Sequence, residues 1–137
     1  MSENTPPQTP AEIVRAFYDA ITAQDPQRLA ELAETSFAED ITLDAPPSLP
    51  YGGTVRGAHR LSRMFQGMAR GPADIGPRNL RMESIVAERD TVVARLAFDY
   101  RSPAGSDIAS GALEEWAFTD GRAVTIRAYY WDTAALA

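Results

Sequence analysis

Glu114 and Glu115 stand side by side within Gly111 to Phe118, a run whose apolar and polar residues alternate as in a half-buried strand. Side chains of a strand point alternately to its two faces, so one of these carboxylates must face inward whatever the register. Beside Trp116 and Phe118 an inward carboxylate loses hydration and its pKa rises, which suits a general acid or base near neutral pH. A glutamate at a rim, paired with an arginine, would have the same sequence and only a structural role. Asp132 closes the cluster Tyr129-Tyr130-Trp131-Asp132. It could carry a proton there, or cap the final turn through the amides of Thr133 and Ala134. Tyr130 and Tyr18 could donate a hydroxyl to an oxyanion, or sit in the core with satisfied hydroxyls. Glu114, Asp132 and Tyr130 are therefore the candidate catalytic residues.

Composition narrows the chemistry further. There is no cysteine, so thiolates and disulfides are excluded, and all 13 basic residues are arginine, so no lysine can form a Schiff base. His59 is the only histidine, which rules out metal sites built from two or three imidazoles. No metal and no cofactor is expected. A net charge of -6 disfavours nucleic acid and anionic membranes as partners. The chain of 137 residues, 45% hydrophobic, suffices for one domain with a real core. Residues 1–9 read as a disordered polar, proline-rich tail, neither signal peptide nor anchor, and residues 10–137 as a single cytoplasmic domain.

The elements that must position these groups follow from periodicity. Thr9-Pro10-Ala11-Glu12 carries a capping signature, and Ile13, Ala16, Phe17, Ala20 and Ile21 make the buried stripe of a first helix. Asp25-Pro26 opens a second helix with Leu29, Leu32 and Ala33 inward. Ile41 and Leu43 mark a short strand, and Tyr51 to Gly57 reads as a turn-rich loop. A third helix carries Leu61, Met64, Phe65 and Met68, with His59 exposed at its start. The stretch from Gly71 to Pro77 is a linker. Leu80 to Val86 is a strand whose alternation slips near Ser84, the sign of a bulge. The next strand turns Val92, Ala94, Leu96, Phe98 and Tyr100 one way and Arg95, Asp99 and Arg101 the other.

Ser102 to Ser106 turns the chain into a last hairpin. A two-residue Asp120-Gly121 loop would pair Trp116 with Thr125. A three-residue Thr119-Asp120-Gly121 loop pairs Trp116 with Val124 and gathers Trp116, Phe118, Val124, Ile126, Ala128 and Tyr130 on one face. The second register keeps the apolar residues together and places Glu114 and Asp132 among them. The expected architecture is α+β and cone-like, with N-terminal helices packed into a strongly curved antiparallel sheet and an apolar pocket open at one end.

With that order of elements, Val14 to Ala20 closed by Asp25, the Phe37-Ala38-Glu39-Asp40 segment, Gly53 to Gly57, and Asp120-Gly121-Arg122 before a strand ending in Tyr-Trp-Asp, the chain resembles the nuclear transport factor 2-like superfamily. Within it, residues 10 to 134 are most similar to SnoaL-like and ketosteroid-isomerase-like proteins. The resemblance implies an apolar small-molecule ligand and a homodimer formed through the outer sheet face around Val93, Arg95, Ala97 and Arg101. Ketosteroid isomerases combine a base aspartate with a tyrosine and a protonated acid. The matching positions here are Ala45 beside Asp44, Phe17 beside Tyr18, and Glu114, so only the acid is kept in place. The aspartate-arginine-aspartate relay of limonene-type epoxide hydrolases is not kept either: Asp99 and Arg101 fall on the outer face, and the last aspartate position falls near Tyr129. Residues 33–36 resemble an extra helical turn.

The reading that results is a cofactor-independent isomerase, polyketide cyclase or dehydratase, with carboxylate acid/base chemistry on an apolar, carbonyl-bearing substrate. Its pocket is expected to be lined by Phe17, Tyr18, Tyr51, Met64, Met68, Leu96, Phe98, Trp116 and Phe118. Tyr51 and the Gly52-Gly53 turn would form a lid, or the glycines would only make the turn. A non-catalytic ligand-binding or dimerisation domain of the same fold is the alternative.

Overall fold

The computed structural model describes residues 9–71 and 75–137. The expected tail up to residue 8 and part of the 71–77 linker lie outside the described residues. Helix α1 (Pro10–Thr22) starts on the capping box: the Glu12 amide donates to Thr9 Oγ1 at 3.2 Å and the Thr9 amide to Glu12 Oε1 at 3.0 Å. Its buried face is Ile13, Val14, Phe17, Tyr18 and Ala20, rotated toward Val14 and Tyr18 from the stripe expected. Helix α2 (Pro26–Ser36), capped by Asp25, runs on through residues 33–36. Helix α3 (Ala58–Arg70) buries Leu61, Phe65 and Ala69.

Six strands, the first two of them before α3, form one sheet: β1 (Phe37–Ala45), β2 (Gly53–Arg56), β3 (Gly76–Glu88), β4 (Thr91–Arg101), β5 (Asp107–Thr119) and β6 (Arg122–Tyr130), in the spatial order β2-β1-β6-β5-β4-β3. A short terminal helix, α4 (Thr133–Leu136), ends the chain. Two expectations change. Residues 53–56 are not loop but an edge strand paired with β1. The sheet is mixed, because β1 joins β6 in parallel while every other pairing is antiparallel.

The alternation of β4 is realised in full: Val92, Ala94, Leu96, Phe98 and Tyr100 are all buried. Register shifts interrupt the β3–β4 ladder between Arg78 and Arg81 and again between Met82 and Ser84, the second where the sequence alternation slips. Bulges of this kind bend a strand and increase its twist, which curves the sheet around the helices.

The β5–β6 hairpin is built differently from either register considered. Thr119 pairs with Arg122, leaving a two-residue Asp120-Gly121 turn with φ of 51° and 79°. Two positive φ values in succession make a type I′ turn, which glycine accepts without strain. The ladder then slips once, so that Phe118 pairs with Ala123 but Ala117 with Thr125, and Val124 is the bulged residue. Trp116 therefore meets Ile126, and Glu114 meets Ala128. A shorter loop followed by a bulge preserves the parity of the expected face, with one exchange: Ala123 is buried and Val124 only half-buried. Arg122 ties this turn to the helices, its Nη1 donating to the carbonyls of Glu34 at 3.3 Å and Phe37 at 3.1 Å.

Candidate active site

The inner face of β5 carries Ala112, Glu114, Trp116 and Phe118 toward α1, and the helix answers with Phe17 and Tyr18. Trp116 is fully buried, its ring 5.0 Å from Phe17 and 6.1 Å from Tyr18 between centroids and stacked on Phe118. Its indole Nε1–H donates to the Tyr18 hydroxyl at 3.0 Å, and that hydroxyl donates in turn through a short hydrogen bond to Glu114 Oε1. The aromatic cluster thus fixes the Tyr18 ring, and Tyr18 aims the carboxylate.

Glu114 itself is half-buried. Burial of its carboxyl raises the pKa above the ordinary 4.5, and the Tyr18 hydrogen bond offsets part of the rise. Tyr18 is pushed well up, first by burial and next by the Glu114 charge, so it remains a neutral donor. The cross-strand neighbours of Glu114 are Ala94 and Ala128, which leave the carboxyl unflanked by bulky side chains along its own rung of the sheet. A proton carrier needs such freedom at one side and fixed hydrogen bonds at the other.

Toward the end of β6 lies a second group of hydroxyls. Tyr51, on the turn before β2, meets Tyr130 in a short hydroxyl–hydroxyl bond. Its ring lies 6.3 Å from that of Tyr100, and Phe98 contacts Tyr130 at 5.5 Å. Burial is the first cause of a raised pKa in all three tyrosines, and the charge of Glu114 reaches Tyr130 as a further one. Gly52 lets the turn close this tightly: a Cβ there would stand 1.9 Å from the Pro46 carbonyl oxygen. The glycine makes the turn, and the turn sets Tyr51 against Tyr130.

Other expected site residues fall elsewhere. Asp132 does not share the apolar face with Glu114; it is exposed and caps α4, accepting the Ala135 amide at 3.3 Å. Strand β6 ends at Tyr130, so the alternation that would have turned Asp132 inward has already stopped. Met68 is 37% exposed, because the buried face of α3 runs through Ala69 instead. Met64 packs partly against the core and partly lines a surface cleft of about 660 Å³ with Arg60, Arg63, Gln66 and Arg70. His59 is exposed. Phe17, Tyr18, Leu96, Phe98, Trp116 and Phe118 are all buried in the core.

A second cleft, of about 450 Å³, opens where β1 and β6 part beyond the Asp44–Arg127 pair. Tyr130, Ala128, Arg127 and Asp44 line it, whereas Glu114 and Asp132 do not. The single hollow expected to hold all three catalytic candidates is therefore not formed. Asp44, which accepts from Thr54 Oγ1 at 2.6 Å, lines the same cleft as Tyr130; sequence reasoning placed it next to the base position at Ala45 but gave it no role. Its outward phase on β1 gave no signal. Asp99 and Arg101 are occupied on the outside, by Asn79 at 3.1 Å and by a two-point pairing with Asp107 at 2.6 and 3.1 Å. Among the described residues no three His, Asp or Glu side chains gather to hold a metal ion, and no helix is long and apolar enough to cross a membrane.

A family model for the SnoaL-like domain matches residues 14–126. No curated protein matches the sequence. Among solved structures, an NTF2-like protein from Burkholderia thailandensis E264 is 21% identical with a TM-score of 0.74, over 93% of this chain and 93% of that one. TerC, co-crystallised with polyporic acid, is 20% identical with a TM-score of 0.69, over 93% of this chain and 95% of that one. An LEH-like epoxide hydrolase from M. tuberculosis is 16% identical with a TM-score of 0.66, over 93% of this chain and 85% of that one. At these identities the likeness is one of fold, with helices packed on a curved, unclosed sheet.

Proposed function

The chain belongs to the SnoaL-like domain family, and we propose that it is a small-molecule enzyme that moves protons on an apolar, carbonyl-bearing substrate. Isomerase, polyketide cyclase and dehydratase chemistry all reduce to this step. Glu114 carries the proton. Tyr18 is a positioning residue that acts through Glu114, and Tyr130 supplies a neutral hydroxyl near the reacting end. The observation that supports this most is the Trp116 to Tyr18 to Glu114 hydrogen-bond series, which ends on a carboxylate of raised pKa with alanines as its two cross-strand partners. That a protein of this fold was co-crystallised with polyporic acid is in keeping with a small-molecule site.

The test is solvent deuterium exchange. Incubated in D2O with 1-tetralone and 1-indanone, the full chain is expected to place deuterium on the carbon next to the carbonyl faster than buffer does, as read by mass spectrometry. Exchange at the buffer rate with both ketones would remove the catalytic reading.

A second reading, a domain that associates through its sheet, draws on the outer face. Leu113 and Tyr129 are cross-strand partners there, 45% and 49% exposed, and Trp131 beside them is 87% exposed. Arg127 lies 5.6 Å over the Tyr129 ring. Exposed aromatics next to arginine are typical of association surfaces. Light scattering is expected to give the mass of a homodimer, and Tyr129→Arg, which sets a second cation beside Arg127 on β6, is expected to give the monomer. A monomeric wild type at millimolar concentration would exclude this interface.

A further inference from the structure

The exposed face of α3 is cationic throughout. Residues 45–73 contain no aspartate or glutamate, yet they hold Arg56, Arg60, Arg63 and Arg70, so the rest of the chain is more negative than the net charge of -6. Arg60, Arg63 and Arg70 line the cleft of about 660 Å³ together with Met64 and Gln66. Elsewhere on the surface Arg28, Arg95 and Arg101 each have a carboxylate partner, at 3.8, 3.5 and 2.6 Å. The three arginines of the cleft are exposed and have neither an ion pair nor a hydrogen bond among the described residues. Gly67 is the second observation. It is exposed on the same helix face, four residues after Arg63 and three before Arg70. A Cβ there would meet nothing within 4 Å, so packing does not require glycine. Glycine is, after proline, the residue least suited to a helix interior. Here it leaves the backbone bare between unpaired guanidiniums, where another chain can lie close.

We propose that this face of α3 is a docking site for an acidic helical segment of a partner protein, seated across Gly67 with its carboxylates on Arg60, Arg63 and Arg70. Length decides the occupant. From Arg60 to Arg70 the helix axis runs about 15 Å, so a single phosphate or carboxylate reaches only part of the array. Glutamates recurring every three or four residues on a second helix have the same repeat and reach all of it. Guanidinium forks take carboxylates in two-point pairs. Packed helix axes lie about 8–10 Å apart, and a residue without a side chain at the crossing permits the near end of that range. Nucleic acid is repelled by the negative remainder of the molecule, and so is a second copy, whose α2 has Glu31 already paired with Arg28. The site does not draw on Glu114.

Capped peptides of about 15 residues, built on alanine and leucine and followed by fluorescence anisotropy with the full chain, test the site. One carries its glutamates on a single helix face, one carries the same residues scrambled around the helix, and one has glutamine for glutamate. The one-face glutamate peptide is expected to bind about tenfold more tightly than either of the others. Arg60→Gln combined with Arg63→Gln is expected to weaken it about tenfold, while Arg15→Gln, which removes an exposed charge from α1, leaves it within about twofold. Gly67→Ala is expected to raise the melting temperature by about 2–6 °C and yet weaken the peptide about threefold, because the added methyl favours the helix but holds the two backbones apart. Equal binding of the one-face and scrambled peptides, or equal losses in the double variant and Arg15→Gln, would show attraction to bulk charge and overturn the proposal. A Gly67→Ala protein with undiminished affinity would overturn the close approach and the helical occupant with it. Tighter binding of inorganic pyrophosphate or of a single-stranded oligothymidylate would assign the face to phosphates instead. Self-association of wild type that the double arginine variant abolishes would assign it to a second copy.

Discussion

Replacing Glu114 by glutamine is expected to lower the deuterium exchange rate by about a hundred- to ten-thousandfold, the usual contribution of a positioned general acid or base. Glutamine keeps the shape and can still accept the Tyr18 hydroxyl, so ketone binding should hold and the loss should fall on the rate. In wild type the rate should rise with pH through a value above the ordinary 4.5 of a glutamate, because the ionised form removes the proton and burial raises its pKa. Tyr18→Phe removes the hydrogen bond that offsets this rise, and is expected to move the profile to still higher pH. A role for Tyr18 in packing alone would leave the profile where it is. Exchange by Glu114→Gln at the wild-type rate would end the assignment.

The same substitution has a stability signature of defined sign. A carboxyl whose folded-state pKa lies above its unfolded value binds its proton more tightly when folded. Its contribution is complete below the unfolded value and is lost as pH rises through the folded one. Urea midpoints for Glu114→Gln minus wild type should therefore increase as pH rises above about 4.5 and level off once pH has passed the raised folded-state value. The Arg101–Asp107 pair works the other way. The hydrogen bond from Arg101 holds Asp107 below its ordinary range, so that contribution is lost as pH falls. That pair lies at the surface, with Asp107 exposed and Arg101 half-buried, which makes Glu114 the sharper probe.

Which of these features could be read in the sequence depends on what kind of signal each leaves. Alternation reports parity, and parity was enough to turn Glu114 and the series Val92 to Tyr100 of β4 inward. It does not report offset. A two-residue turn with a bulge at Val124 and a three-residue turn with its bulge at Gly121 put Trp116 and Glu114 on the same face and differ in the cross-strand partners and in whether Ala123 or Val124 is buried. Strand β2 leaves too short a signal, four residues at the sheet edge that alternate only between half-buried and exposed. Its place is set by pairing with β1. On α3, Met68 and Ala69 fit a helical stripe equally well, and the choice falls to the packing of Leu61, Phe65 and Ala69. Asp132 failed for another reason: its capping role competed with its strand phase, and the helix start won.

Trp116→Ala is expected to destabilise the fold by about 3–5 kcal/mol, in the range found for large aromatic truncations in packed cores. The residue is fully buried, with ring contacts to Phe17, Tyr18, Phe37 and Phe118 and cross-strand neighbours Val92 and Ile126. These belong to α1 and to four strands, β1, β4, β5 and β6, so the cavity cannot be closed by moving one element. A domain of this size is stable by roughly 5–15 kcal/mol, and the loss should appear as a fall in melting temperature of roughly 10–20 °C. Trp116→Phe separates packing from polarity. It refills most of the volume but deletes the donor to Tyr18, so most of the lost stability should return. The Tyr18 hydroxyl, no longer polarised by the indole N–H, should then hold Glu114 less firmly. The exchange profile of Trp116→Phe should shift to higher pH in the same sense as that of Tyr18→Phe, and by less. If Trp116→Phe recovers stability and leaves the profile unmoved, the indole supports the fold alone and Tyr18 aims the carboxylate without it.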